Sequence, residues 1–400
     1  MSGTRVLLYV QHLLGIGHLK RAMTLARALA AGGLDVTVAN GGFEVPELAV
    51  EGIRVVQLPP LGAADVTFKN LVGATGMPID DDWKHERREA LLAAYREVDP
   101  QGLLIELFPF GRRQMRFELL PLLDTAVGRS STQIRRRPLI VSSVRDVSGG
   151  GQREPSRQME TVALVNRYFD RVLVHSDPEL IRFERTFACA DQIAEKLHYT
   201  GFVVDHLVDH LAGDKHDTLA GKDEVIVSAG GGAVGRALLE TALHARPLSI
   251  LANRTWRLLT GINASSADTA MIEALGRRIG GNRVVIERVR DDFTTLLRNC
   301  AVSVSQAGYN TTMEILAAGA RAVLVPFAGG SETEQTLRAN ILAEHGRLEV
   351  VEESALGPMA LAAAIDRAAR GPRPVRGAID LGGAERSAVL LAQWIGKRSG

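Results

Sequence analysis

Short apolar runs, each closed by glycine or a polar turn, alternate along the chain with stretches whose apolar residues recur every three or four positions. Residues 5–10, 35–39, 53–58, 103–107, 139–143 and 171–175 have the near-continuous apolar character of buried parallel strands. Between them, 19–31 places Leu19, Ala22, Leu25, Ala26 and Leu29 on one helical face, and 82–97 and 115–125 are helical by the same period. A further helix joins the strands at 139–143 and 171–175. From Tyr199 to Lys222 the periodicity dissolves into short polar and charged residues. It resumes with a strand at 224–229, a glycine crossover at 230–235 and a helix at 236–244. Strands at 256–259, 284–287, 302–304 and 322–325 follow. A closing helix at 384–395 comes after the Pro/Gly-rich stretch 371–377 and is long enough to cross back over the first half. Alternation of this kind predicts an α/β chain with two doubly wound parallel sheets. The expected division is a first domain over 1–202, a linker over 203–222, a second domain over 223–375 and a returning helical segment over 376–400.

One stretch, 301–346, concentrates the candidate chemistry. Its strand runs into Ser305-Gln306-Ala307-Gly308 and then Asn310-Thr311-Thr312, ahead of a helix at 311–318 and a second strand at 322–326. A polar glycine turn at a helix N-terminus in a βαβ unit offers unpaired amides and the positive end of the helix dipole to a phosphate. Glu314, one helical turn inside, is a carboxylate placed for ribose hydroxyls. After the second strand come Gly329-Gly330-Ser331 and Glu332-Thr333-Glu334-Gln335. Together these describe a nucleotide-sugar site.

Two other glycine loops leave strands for helices. Gly230-Gly231-Gly232 is unusual because glycine is costly without a backbone reason, and close approach of a phosphate supplies one. Gly15-Ile16-Gly17-His18 lacks the full dinucleotide pattern, since Arg21-Ala22 occupy its later positions. It is either a tight turn with a capping histidine or a ligand-facing loop in which His18 is a general base. Glu106 closes a strand whose end lies at the ligand crevice of an open α/β sheet, where it either orients His18 or pairs with Arg112 or Arg113. Arg145-Asp146 carries the same ambiguity.

Composition narrows the classes. A chain of 400 residues is long for one core, and a formal charge of +1 gives no electrostatic case for nucleic acid. The two cysteines, Cys189 and Cys300, are far apart in sequence and fit a reducing compartment. No uninterrupted apolar run approaches the ~18 residues of a membrane span, so a cytoplasmic protein is expected, with peripheral contact at the inner face of the membrane left open. Arg135-Arg136-Arg137 is a solvated loop with a minor prospect of touching anionic lipid. Asp80-Asp81-Asp82 contains a D-x-D but sits where a helix cap belongs. His175-Ser176-Asp177-Pro178 lacks a nucleophile elbow and is taken as a helix start with proline in its first turn. No metal-ligand cluster is seen.

These residues resemble the GT-B glycosyltransferases of the MurG type, with a family 28-like C-terminal domain, and more narrowly the bacterial group of predicted glycosyltransferases. The resemblance covers nearly the whole length. Its specific part is the Gly230-Gly231-Gly232 loop, the turn from Ser305 to Thr311, Glu314, and Glu334-Gln335 with Asn340. It implies two Rossmann-like domains facing each other across a cleft. In the second domain Gly230, Gly231, Gly232, Gly308 and Thr311 would face the diphosphate, Glu314 the ribose, the backbone at Val289 the base, and Glu334-Gln335 the sugar. In the first, Gly15, Gly17 and Arg145 would lie on the acceptor side, with His18 as base or phosphate contact beside Glu106. The nucleotide-sugar would be a substrate, and no cofactor is implied. A transferase that inverts its sugar is the leading expectation; an epimerase or hydrolase of the same fold, or a non-catalytic nucleotide-sugar sensor, would use the same loops.

Overall fold

Every residue from Val6 to Val10 is buried, as a strand covered on both faces requires. The computed structural model describes residues 3–13, 15–64, 70–128, 137–147, 154–204, 219–230, 235–262, 264–328, 333–375, 377 and 379–399. The chain forms two compact units, one of residues 1–203 with 382–400 and one of residues 204–381.

In the first unit β1 (Thr4–Val10), β2 (Leu34–Asn40) and β3 (Arg54–Gln57) extend the sheet in one direction. A short antiparallel pair, β4 (Gly62–Ala63) and β5 (Leu71–Val72), stands apart from it. β6 (Gly102–Glu106), β7 (Leu139–Arg145), β8 (Arg171–His175) and β9 (Leu197–Tyr199) extend it in the other direction, all parallel, giving the order β3-β2-β1-β6-β7-β8-β9. The connecting helices are α1 (Gly17–Ala31), α2 (Asp81–Val98), α3 (Arg116–Gly128) and α4 (Pro155–Tyr168). Asp80 caps α2 by accepting from the Trp83 amide at 2.8 Å, so the acidic triplet opens a helix.

The second unit repeats the scheme with β10 (Val225–Ser228), β11 (Trp256–Leu259), β12 (Val284–Glu287), β13 (Val302–Ser305), β14 (Ala322–Leu324) and β15 (Glu349–Val350), ordered β12-β11-β10-β13-β14-β15. Its helices are α5 (Arg236–Ala245), α6 (Ser266–Ile279), α7 (Phe293–Asn299), α8 (Tyr309–Ala318), α9 (Glu334–Glu344) and α10 (Pro358–Arg370). The last helix, α11 (Gly383–Ser399), belongs to the first unit, where Ala384, Ala388, Leu391 and Ile395 share a core with Leu25 and Leu29 of α1.

The strand order fixes where loops can meet. Connections turn one way from β1 and the other way from β6, so β1 and β6 flank the switch point of the first sheet; β10 and β13 flank that of the second. Loops leaving the carboxyl ends of such a pair diverge and open a crevice.

One sequence expectation is corrected. His175 ends β8, but Asp177-Pro178 starts no α-helix. The Asp177 carboxylate accepts from the Glu179 amide at 3.0 Å and the Ser176 hydroxyl donates to the Ile181 carbonyl at 2.6 Å. Taking up that carbonyl with a side chain closes the segment as a turn instead of letting it propagate.

Candidate functional site

The first site grows from the β1–β6 switch point. Glu106 is the last residue of β6, and α1 begins at Gly17, so His18 enters on the first turn of a helix that follows the neighbouring strand. Ile16 holds the N-cap position without a side-chain cap bond, and His18 lies inside the helix past that position. His18 Nδ1 lies 2.7 Å from Glu106 Oε1. Arg21, one turn further along α1, donates from Nη2 to the same Oε1. Guanidinium and carboxylate are both almost wholly removed from solvent. The other carboxylate oxygen, Oε2, is buried with no hydrogen-bond partner among the described residues.

Protonation states follow from these donors. An ionised carboxylate only accepts, so His18 Nδ1 carries its proton and Nε2 keeps a lone pair. Burial pushes the His18 pKa down and Arg112 and Arg145 push it further, against the pull of Glu106. Burial works to raise the Glu106 carboxyl, but His18 and Arg21 outweigh it and hold it below the usual carboxylate range. The pair is therefore neutral imidazole beside carboxylate.

Glu106 has its arginine partner, and it is neither of those adjacent in sequence. Arg112, with φ of 55°, donates Nε to the Gln11 carbonyl at 2.9 Å, and Arg113 pairs with Glu160 at 2.7 Å. Arg145 ends β7 opposite His175 in register. Deeper in the sheet Ser143, in register with Glu106, sits 2.7 Å from His175 Nε2, and Thr200 Oγ1 sits 2.9 Å from His175 Nδ1. Burial takes His175 down to about 3, so this second histidine is a neutral core group. Gly15 is exposed, and a Cβ there would meet nothing within 4 Å.

The second site grows from the β10–β13 switch point. Gly308 occupies the N-cap of α8 without a side-chain cap bond, and a Cβ there would also meet nothing within 4 Å. Packing does not demand glycine at Gly308; free space before a helix N-terminus is what remains. Gly230 has φ of +60°, its amide donates to Ser228 Oγ at 3.2 Å, and a Cβ on it would lie 3.9 Å from Thr311 Oγ1. The two loops thus approach each other. Gly231 and Gly232 lie outside the described residues. Gly308, Thr311 and Glu314 recur at three-residue spacing as a half-buried stripe, while Tyr309, Thr312, Met313 and Ile315 are buried. The hydroxyls of Ser305 and Thr312 are buried and have no hydrogen-bond partner among the described residues.

The remaining candidates are more dispersed. Val289 is exposed after β12, in a loop braced by Arg290 on Asp292 at 2.6 Å and by Arg288 on the Ile262 carbonyl at 2.7 Å. Glu334, on the first turn of α9, is buried, and Gln335 Oε1 accepts from the Phe327 amide at 3.1 Å. Part of Gln335 is therefore spent on holding the chain after β14. Sequence reading missed Arg338, a buried guanidinium that donates to the Ala307 carbonyl at 3.2 Å and lies 5.4 Å from the Tyr309 ring centroid. The available signal was its spacing, one turn beyond Glu334 on the same helix. Among the described residues no cluster of His, Cys, Asp or Glu could hold a metal, and no helix is long and apolar enough to cross a membrane.

Residues 225–374 match the glycosyltransferase family 28 C-terminal domain. The second unit is a domain of that family. Over 284 residues, 66% of this chain and 77% of the relative, the sequence is 27% identical to the UDP-N-acetylglucosamine--N-acetylmuramyl-(pentapeptide) pyrophosphoryl-undecaprenol N-acetylglucosamine transferase of Nitrosomonas eutropha. MurG of Acinetobacter baumannii superposes with a TM-score of 0.60 at 15% identity, over 98% of this chain and 99% of that one. The glycosyltransferase of kitacinnamycin gives 0.63 at 17%, over 99% and 100%. The fold is GT-B, and with its family 28 domain the chain is a glycosyltransferase similar to the MurG enzymes.

Proposed function

We propose that this family 28 glycosyltransferase moves a sugar from a uridine diphosphate donor to a hydroxyl of a lipid-linked or cell-envelope saccharide, with inversion and without a metal. The observation that carries the reading is the N-terminus of α8 at Gly308, without a side-chain cap bond and with Gly230 close to Thr311, where the hydroxyls of Ser305 and Thr312 are buried with no hydrogen-bond partner among the described residues. A helix mouth, where backbone amides point outward along the positive end of the dipole, suits a diphosphate whose charge grows as it departs. Thr311 and the loop 230–232 take the diphosphate, Glu314 the ribose, the backbone at Val289 the base, and Glu334 and Gln335 the sugar.

His18 Nε2 removes the acceptor proton, the acceptor oxygen attacks the anomeric carbon from the face opposite the leaving group, and the carbon–oxygen bond to the diphosphate breaks with its electron pair. One displacement inverts the configuration. Glu106 stabilises the imidazolium that forms, and Gly15, Gly17 and Arg145 border the acceptor. A relative named for UDP-N-acetylglucosamine and an undecaprenol acceptor supports this choice of donor and acceptor class, and work at the inner face of the membrane follows from it. The test is a thermal-shift panel of uridine, guanosine, thymidine and adenosine diphosphates and their sugars. At ~100 times its dissociation constant a ligand stabilises the fold by ~2.7 kcal/mol. A response confined to uridine compounds is expected; no response to any of them overturns the reading.

A further inference from the structure

We infer that Arg21 is a positioning residue: sharing Glu106 Oε1 with His18 Nδ1, it holds the carboxylate ionised and fixed in place, so that His18 presents Nε2 as its free nitrogen. The inference rests on the reading of His18 as base only for its use in transfer, since the clamp itself is measurable without substrate.

Three observations converge on Arg21. It lies on α1 three residues after His18, so both side chains leave the same helical face toward the end of β6. Its Nη2 meets the oxygen that His18 meets and stands 3.5 Å from His18 Nδ1. Because Oε2 of Glu106 has no donor among the described residues, the carboxylate's charge is met at Oε1, where Arg21 is the charged donor and His18 a neutral one. A buried carboxylate held by a neutral imidazole alone would be poorly compensated. Either it would take a proton itself, or it would draw one onto the imidazole; both outcomes cost the base its function. Arg112 and Arg145 also face His18, and Arg112 also acts on Glu106. The charged hydrogen bond to the carboxylate comes from Arg21, while Arg112 and Arg145 act on the pair through their charge. His175 feels Arg21 and Glu106 from the β8 side and is itself neutral.

The experiment is long-range ¹H–¹⁵N spectroscopy of protein labelled at histidine, titrated from neutral pH toward acid, with a His18→Gln variant to assign the resonances. In the native chain His18 should show a protonated Nδ1 and an unprotonated Nε2 throughout. In Arg21→Gln the pair should bind its next proton about tenfold or more tightly, bringing a His18 titration into the observed range. Arg21→Lys, which keeps the charge, should restore the neutral ring. An unchanged His18 titration in a folded Arg21→Gln protein overturns the inference. Should that variant fail to fold, Arg21→Gln/Glu106→Gln removes the stranded carboxylate. Recovery of folding then supports the clamp, and a double variant no more stable than the single one overturns it. Failure of the nucleotide panel would leave these spectra unchanged, so the two readings fail separately.

Discussion

Ser305 lies opposite Ser228 in register across the β10–β13 pair, and each residue closes its strand. The Ser228 hydroxyl accepts from the Gly230 amide, whereas the Ser305 hydroxyl is buried with no partner among the described residues. A ligand seated before α8 therefore meets one loop whose serine is engaged in shaping the turn and one whose serine is not. Gly308→Val probes this directly. Its Cβ would meet nothing within 4 Å, so the expected cost in the free protein is the loss of a good N-cap residue, about 1 kcal/mol. Uridine diphosphate affinity, read by calorimetry, should fall by about tenfold or more, a loss of at least ~1.4 kcal/mol. Unaltered affinity would remove Gly308 from the donor site.

A buried ion pair offers a contrast, being fully furnished with partners. Arg87 binds both carboxylate oxygens of Glu118, at 2.8 and 2.9 Å, and also the carbonyls of Gly41 and Pro59 at 2.7 and 2.6 Å. Tyr9 donates to Glu118 at 2.5 Å. This network ties β1, α2, α3 and the turn after β2 together. Arg87→Met strands a buried carboxylate and should destabilise the first unit by about 3–5 kcal/mol. Arg87→Met/Glu118→Met should recover a good part of that loss. Urea denaturation followed by near-ultraviolet circular dichroism reads both; a double variant as unstable as the single one would show that the charge was not what mattered.

Sequence pattern gives β8, β11 and β12 to the residue, because each is an apolar run bounded by charge or turn on both sides. β9 and β15 escape it: three and two residues leave no period to detect, and their assignment depends on the strands they pair with. The site divides the same way. Gly230, Gly308 and His18 are visible because glycine and histidine at strand-to-helix turns are locally conspicuous. Arg21 is not, since an arginine inside an amphipathic helix ordinarily faces water. Only the packing of α1 over the end of β6 buries it against a carboxylate 85 residues away. For the same reason the sequence offers Glu106 only its adjacent arginines: partners across a sheet carry no spacing signal.

Acid should weaken the fold before its carboxylates are titrated. His12 and His175 are buried, His18 is partly so, and the pKa values of all three are lowered chiefly by desolvation. Unfolded, each takes a proton near 6.5. Folded, each resists, so the unfolded state binds more protons below that pH. Stability is then full above about 6.5 and declines as pH falls, for His175 down to about 3. Each such group contributes a slope of up to ~1.4 kcal/mol per pH unit. His175→Asn should lower stability at pH 8 but flatten the acid slope by about one proton's worth. Denaturant midpoints at a series of pH values measure it, and an unaltered slope would mean that His175 is protonated in the fold.

Where α11 returns to the first unit, one glycine makes the closest approach. A Cβ on Gly383 would stand 2.3 Å from the Gly201 carbonyl oxygen and 2.7 Å from that of Phe202, both backbone atoms that cannot swing aside. The Gly383 amide donates to the Phe202 carbonyl at 3.0 Å, so that close approach also supplies a hydrogen bond. Gly383→Ala must either push α11 outward or distort the chain at 201–202, and overpacking of this kind costs about 1–3 kcal/mol. Outward movement would uncover Leu25 and Leu29, whose shared core with Ala388 and Leu391 lies under that helix. The expected signature is faster amide hydrogen exchange in α11 and α1, with α5 to α10 unaffected because they belong to the other unit. Native exchange rates in α11 of a Gly383→Ala protein would show that its docking tolerates the added methyl group and does not rest on Gly383.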